Sequence, residues 1–167
     1  MACAIVIFIW SVVQSRREGG RVTARESAVT DADLARFFPP AYTGPPPATR
    51  DFASAVELYS QRDYAAALPA LRKAADAHPD LISARFYLAV CELYTNAREP
   101  GMADMRKVID AGTTSYLEQA RFYLAKALIG GGDLDAAKQQ LQDVIAMHGD
   151  LEQQAEMLVA KLNRTVR

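Results

Sequence analysis

Ala84-Arg85-Phe86-Tyr87-Leu88-Ala89 returns unchanged as Ala120-Arg121-Phe122-Tyr123-Leu124-Ala125, an interval of 36 residues, and Val108-Ile109 returns at the same interval as Val144-Ile145. An interval shared by two separate segments means that the repeating unit is longer than one helix. A period in the thirties marks stacked helical repeats, in which no unit buries its apolar face alone and each needs a neighbour. The sequence therefore predicts an all-α chain, a right-handed solenoid of about three helix-turn-helix units closed by a C-terminal capping helix. Such an architecture points to a binding scaffold before a catalyst.

Working outward from the two copies, apolar residues recur at helical spacing from residue 51 onward. The first pair of helices is expected over 51–61 and 64–77, with Phe52, Ala55, Leu58 and Tyr59 inward on one, and Tyr64, Ala67, Leu68, Leu71, Ala74 and Ala75 on the other. The second pair is expected over 81–95 and 99–111, the third over 115–129 and 133–148, and a closing amphipathic helix over 150–163. Units then fall at 51–80, 81–113 and 114–149 within a domain of 51–167. Asp63, Asp80 and Asp133 stand where an N-cap carboxylate accepts a backbone N–H, and Ser115-Tyr116-Leu117-Glu118 reads as a capping box. Pro79 follows a helix end and Pro100 falls in a first turn, both favoured places. Pro69 falls inside a helix, where it costs a backbone hydrogen bond, and predicts a local bend. Gly130-Gly131-Gly132 supplies a tight reversal.

Before the repeats lie two other compositions. Residues 2–13 carry no charge and are apolar or small, and Arg16-Arg17 follow them. By composition residues 1–18 are a membrane anchor, shorter than the ~20 apolar residues a spanning helix needs. The expectation is a single-pass N-terminal anchor whose N-terminal part is missing, or an apolar N-terminus that lies in the interface or docks on another protein. Arg16, Arg17, Arg21 and Arg25 place the downstream domain on the cytoplasmic side by the positive-inside rule, and the side stays open. Residues 19–50 read as a stiff Pro-rich linker with Pro39-Pro40 and Pro45-Pro46-Pro47. Phe37, Phe38 and Tyr42 are unusual in a spacer. Either they dock on the following domain and cap its first helix, or they are a recognition motif for a partner.

The helical region resembles the tetratricopeptide repeat family over about 115 residues. The third unit carries the resemblance best, in Leu124-Ala125, Gly132-Asp133-Leu134, Ala137, Leu141 and Val144, and the first unit adds Ala55, Asp63-Tyr64, Ala67, Leu71, Ala74 and Pro79. It departs from the pattern at Asp51, Arg85 and Arg121 in place of an early aromatic, at Gly101 in place of alanine at a helix crossing, and at Thr113 and Gly149 in place of a closing proline. The resemblance implies that the first helices of the units line a concave groove for a protein or peptide segment. Carried over by position, that groove shows Phe52, Val56, Tyr59, Phe86, Val90, Tyr94, Phe122 and Lys126. The phenylalanines also suit core packing, so Val90, Tyr94 and Lys126 are the positions expected to touch a partner. The Lys and Asn set with which some members hold a terminal carboxylate is absent. An anchor, a Pro-rich linker and a short repeat domain in this order also resemble the rear part of bacterial membrane regulators with a zinc-binding anti-sigma-type front, which this sequence lacks.

Other chemistry finds little support. The net charge of −1, without clustered Lys and Arg, excludes a nucleic-acid footprint. Cys3 and Cys91 have no metal-type spacing. His78 and His148 each end a second helix, and Gly130-Gly131-Gly132 lacks the Lys-Ser/Thr of a phosphate loop. Neither a catalytic set nor a cofactor is expected. The column Asp51, Arg85, Arg121 is expected to pair internally. The sequence thus points to a membrane-tethered protein-interaction module with an apolar groove; its rival is a structural subunit of an envelope or secretion assembly whose groove holds its own linker.

Overall fold

The computed structural model describes residues 36–165. Among these are seven α-helices: α1 (Arg50–Ser60), α2 (Tyr64–Ala77), α3 (Ile82–Tyr94), α4 (Arg98–Asp110), α5 (Leu117–Gly131), α6 (Leu134–Ala146) and α7 (Glu152–Thr165). Each helix packs on the next, and α3 also meets α5, so the first helices of the second and third units are neighbours. The three pairs and the closing helix form the expected tetratricopeptide-like helical solenoid. The anchor segment and residues 19–35 lie outside the described residues.

One turn, used three times, sets the geometry within each unit. Arg62, Asn96 and Gly132 all adopt positive φ, at 65°, 66° and 83°. The following amide reaches back five residues in each case, Asp63 to the Leu58 carbonyl, Ala97 to Glu92 and Asp133 to Leu128. A left-handed residue followed by such a back-reaching amide satisfies the orphan carbonyls of the first helix and reverses the chain at once. Asp63 and Asp133 then cap the second helix, accepting from the amides of Ala66 at 3.0 Å and Ala136 at 3.2 Å. Ala97 has the same backbone conformation but no side chain to cap with, which leaves α4 without a side-chain N-cap.

Between units the expected caps differ. Asp80 does not cap α3; Leu81 occupies the N-cap position and makes no side-chain bond. Nor does Ser115 to Glu118 close a capping box, because α5 begins at Leu117 with Tyr116 as its N-cap. The Glu118 carboxylate instead accepts the Leu151 amide at 2.8 Å, so it ties the third unit to the start of the closing helix. Gly149 leaves room for it, since a Cβ there would stand 2.5 Å from the carboxylate and the Glu118 side chain would have to shift. Thr49 caps α1 by accepting from Phe52. α2 runs without a break through Pro69, which is exposed, as is Ala65, whose carbonyl loses its partner to water.

The repeated hexapeptide resolves into separate roles that recur in both copies. Ala84, Ala89, Ala120 and Ala125 are buried where helices cross, and Phe86, Leu88, Phe122 and Leu124 fill the core. Arg85 bonds Asp104 at 2.9 Å and Arg121 bonds Asp143 at 2.6 Å, each joining the first helix of its unit to the second. Asp51 pairs with Lys73 in the first unit with the signs reversed. The column thus pairs within units, not along itself. Arg85 also donates to the Ala75 carbonyl at the end of α2, binding the first unit to the second. Gly101 lets α4 close on α3, because a Cβ would meet Leu93 Cγ at 2.7 Å.

Beside Arg85 and Asp104, Glu92 is 1% exposed and held by Arg72. Burial, then the neighbouring Asp104, pushes its carboxyl above the ordinary value in spite of Arg72. A carboxyl raised on folding stabilises fully below its unfolded pKa, and that contribution is lost as pH rises through the folded value. The stability of Glu92→Gln relative to the parent, read by thermal melts, should therefore be higher at about pH 8 than at about pH 4. Ala97→Asp should supply the missing cap of α4 and raise stability by about 1 kcal/mol in denaturant unfolding.

Candidate protein-binding groove

All seven tyrosines of the chain belong to one network of ring contacts, with Tyr59, Tyr87, Tyr94 and Tyr123 on α1, α3 and α5, Tyr64 at the start of α2, Tyr116 before α5 and Tyr42 in the linker. Tyr87 is at its centre, with Tyr42, Tyr59, Phe86 and Tyr116 around it at centroid distances of 4.8 to 5.9 Å. Tyr59 meets Tyr64 at 5.1 Å and Tyr64 meets Tyr94 at 4.6 Å, carrying the series toward the rim. Tyrosine suits such a face because its ring buries apolar area while its hydroxyl keeps a polar partner.

Residues 37–43, which form neither helix nor strand, are seated on this network. Phe37 packs edge-on against Tyr123 at 4.8 Å. Tyr42 packs on Tyr87 at 4.8 Å and on Phe52 at 6.2 Å. Hydrogen bonds accompany the rings: Tyr59 donates to the Pro40 carbonyl at 2.6 Å, the Thr43 amide donates to the Tyr87 hydroxyl at 2.9 Å, and Tyr123 makes a long 3.5 Å contact to the Phe38 carbonyl. The segment runs from the third unit, where Phe37 and Phe38 sit, back to the first, where Thr49 opens α1. It docks on the domain as one reading of the sequence expected, but across three units, not as a cap on the first helix.

The expected groove residues separate into two groups. Phe86 and Phe122 are buried core, Phe52 and Tyr59 are also buried but meet the segment at Tyr42 and Pro40, and Val90, 0% exposed, has no surface to offer. Val56 and Lys126 are half-buried, and Tyr94 is 50% exposed at the end of α3. Lys126 lies 6.0 Å from the Phe38 ring and 5.8 Å from that of Phe122, and burial lowers its pKa. Phe38 itself is 66% exposed, while Phe37 and Tyr42 are half-buried. Beyond Phe37 a cleft of about 100 Å³ has Lys126 and Arg98 on its walls.

Tyr87, Tyr123 and Tyr64 were not among the residues expected to line the groove, although they hold the segment or border it. A signal was present, because a tyrosine beside each buried Phe of the repeated hexapeptide can bury its ring, as Tyr87 does at 1% exposure, while its hydroxyl meets a polar group of a covering segment. Burial raises the pKa of Tyr59, Tyr116 and Tyr123, the last to about 12, so these hydroxyls stay protonated. Cys91, buried behind them and pushed up to about 12 by burial, stays a thiol. No group of three His, Cys, Asp or Glu side chains among the described residues is placed to hold a metal ion.

Residues 119–150 match the family model for the tetratricopeptide repeat. No curated protein and no solved structure matches the chain. The match falls on the third unit, and the first two units repeat its turn and its helix pairing, so the described residues share the helical-repeat architecture of the tetratricopeptide repeat.

Proposed function

We propose that this chain is a membrane-tethered recruitment module whose groove, on the face of α1, α3 and α5, takes up a segment of another protein. The family is one of protein-interaction repeats without catalytic machinery. The observation that carries the reading is segment 37–43 seated on that face. A surface that holds one such segment through ring faces and backbone carbonyls has the chemistry to hold another. Tethering rests on the composition of residues 2–13. No helix among the described residues is long and apolar enough to cross a membrane, so the anchor would have to be that segment.

The seated segment also favours a second reading, a structural subunit of an envelope or secretion assembly whose groove is closed by its own linker. The two separate in a crosslinking experiment on the full-length chain in its native membrane. A photoreactive residue is placed at Tyr94 or at Lys126, with Met157 on α7 as control. Recruitment predicts that both groove positions capture the same second protein and that Met157 does not. Capture of the chain's own residues 37–42 alone would replace recruitment by the structural reading. Deleting residues 1–18 should release the chain from the membrane fraction, and its retention there would contradict the anchor.

A further inference from the structure

Segment 37–43 leaves part of the tyrosine face uncovered, as a trough of about 590 Å³, within the range of small recognition clefts. One wall is the linker itself at Phe38, Pro39 and Pro40; the other is Tyr59, Tyr64 and Tyr94. Large exposed hydrophobic side chains are few among the described residues, and one from each wall, Phe38 and Tyr94, is among them. Contiguous exposed aromatic surface of this kind marks an interaction site. The lining contains no carboxylate and a single cation, Arg62, so the trough suits a neutral occupant.

The adjoining interface shows how an occupant would be held. Tyr59 donates to the Pro40 carbonyl and Tyr42 to the Pro45 carbonyl, so tyrosine hydroxyls already bind proline carbonyls twice in this chain. Tyr64 and Tyr94 continue the same ring series, and their hydroxyls have no hydrogen-bond partner among the described residues. The linker wall cannot accept a β-strand partner, since Pro39 and Pro40 have no N–H to donate to a ladder. A polyproline II strand needs no ladder: its carbonyls face outward unpaired and its rings pack on aromatic faces.

We propose that this trough binds a proline-rich extended segment of a partner protein, laid beside residues 38–41, with Tyr64 and Tyr94 donating to its carbonyls. The linker is then one wall of the site and not a competitor for it. This inference rests on reading the face as a protein-binding groove and names the class of segment it takes.

The test is fluorescence anisotropy of a labelled decaproline peptide titrated with the full chain. Phe38→Ala and Tyr94→Ala are the informative variants, because both side chains are exposed and neither supports the core. Saturable binding is expected, weakened about tenfold or more by either variant and unchanged by Met157→Ala, tenfold being about 1.4 kcal/mol. No saturable binding, indifference to Tyr94→Ala, or tighter binding by Phe38→Ala would each overturn the proposal. Self-association of the chain that Tyr94→Ala disperses would make a second copy the occupant and overturn it too. If decaproline fails while a photoreactive residue at Tyr94 still captures a second protein, the proline-rich assignment falls and the recruitment reading stands.

Discussion

The contact on which the arrangement depends is the one that Tyr87 and Tyr123 make with the segment in front of the repeats. They are the same residue of the same hexapeptide, one unit apart. Tyr87 receives the Thr43 amide and packs against Tyr42, while Tyr123 packs against Phe37 and reaches the Phe38 carbonyl. Their neighbours in the hexapeptide face other ways: Arg85 and Arg121 bond the second helix of their units, and Phe86 and Phe122 fill the core. A residue run that must satisfy an ion pair to the second helix, buried in one copy and partly exposed in the other, together with a helix crossing and a bound segment has little freedom to vary. That accounts physically for its two identical copies.

Much of the fold was legible because it follows from local rules. Helical spacing located every helix among the described residues to within a few residues, and Asp63 and Asp133 were readable as caps because a carboxylate before an apolar run has one common use. Where the reading failed, a tertiary contact had taken over a local signal. Glu118 has the spacing of a capping box, yet its carboxylate goes to Leu151 because the closing helix begins beside it. Arg62 gave no sign of its left-handed backbone, whereas Gly132, and more weakly Asn96, are residue types that favour that conformation at a helix end. The turn is imposed on Arg62 by the packing of the two helices that it joins.

The groove was legible in kind but less so in its members. Carrying positions over from the family picked Phe52, Phe86 and Val90, which the stack buries, and passed over Tyr87 and Tyr123, each next in sequence to a buried phenylalanine. On a helix one residue is about 100° of rotation, enough to move a side chain from the core to the groove. The place of Phe37 and Tyr42 was not derivable, because no periodicity governs a Pro-rich segment. Only its aromatic content hinted that it had a surface to meet.

The central claim is that residues 37–43 lie on the tyrosine face. Nuclear Overhauser effects between aromatic rings in the full chain test it most directly. The structure predicts cross-peaks from Phe37 to Tyr123 and from Tyr42 to Tyr87, whose ring centroids are both 4.8 Å apart. Random-coil shifts for Phe37 and Tyr42, with no cross-peak to either tyrosine, would contradict it.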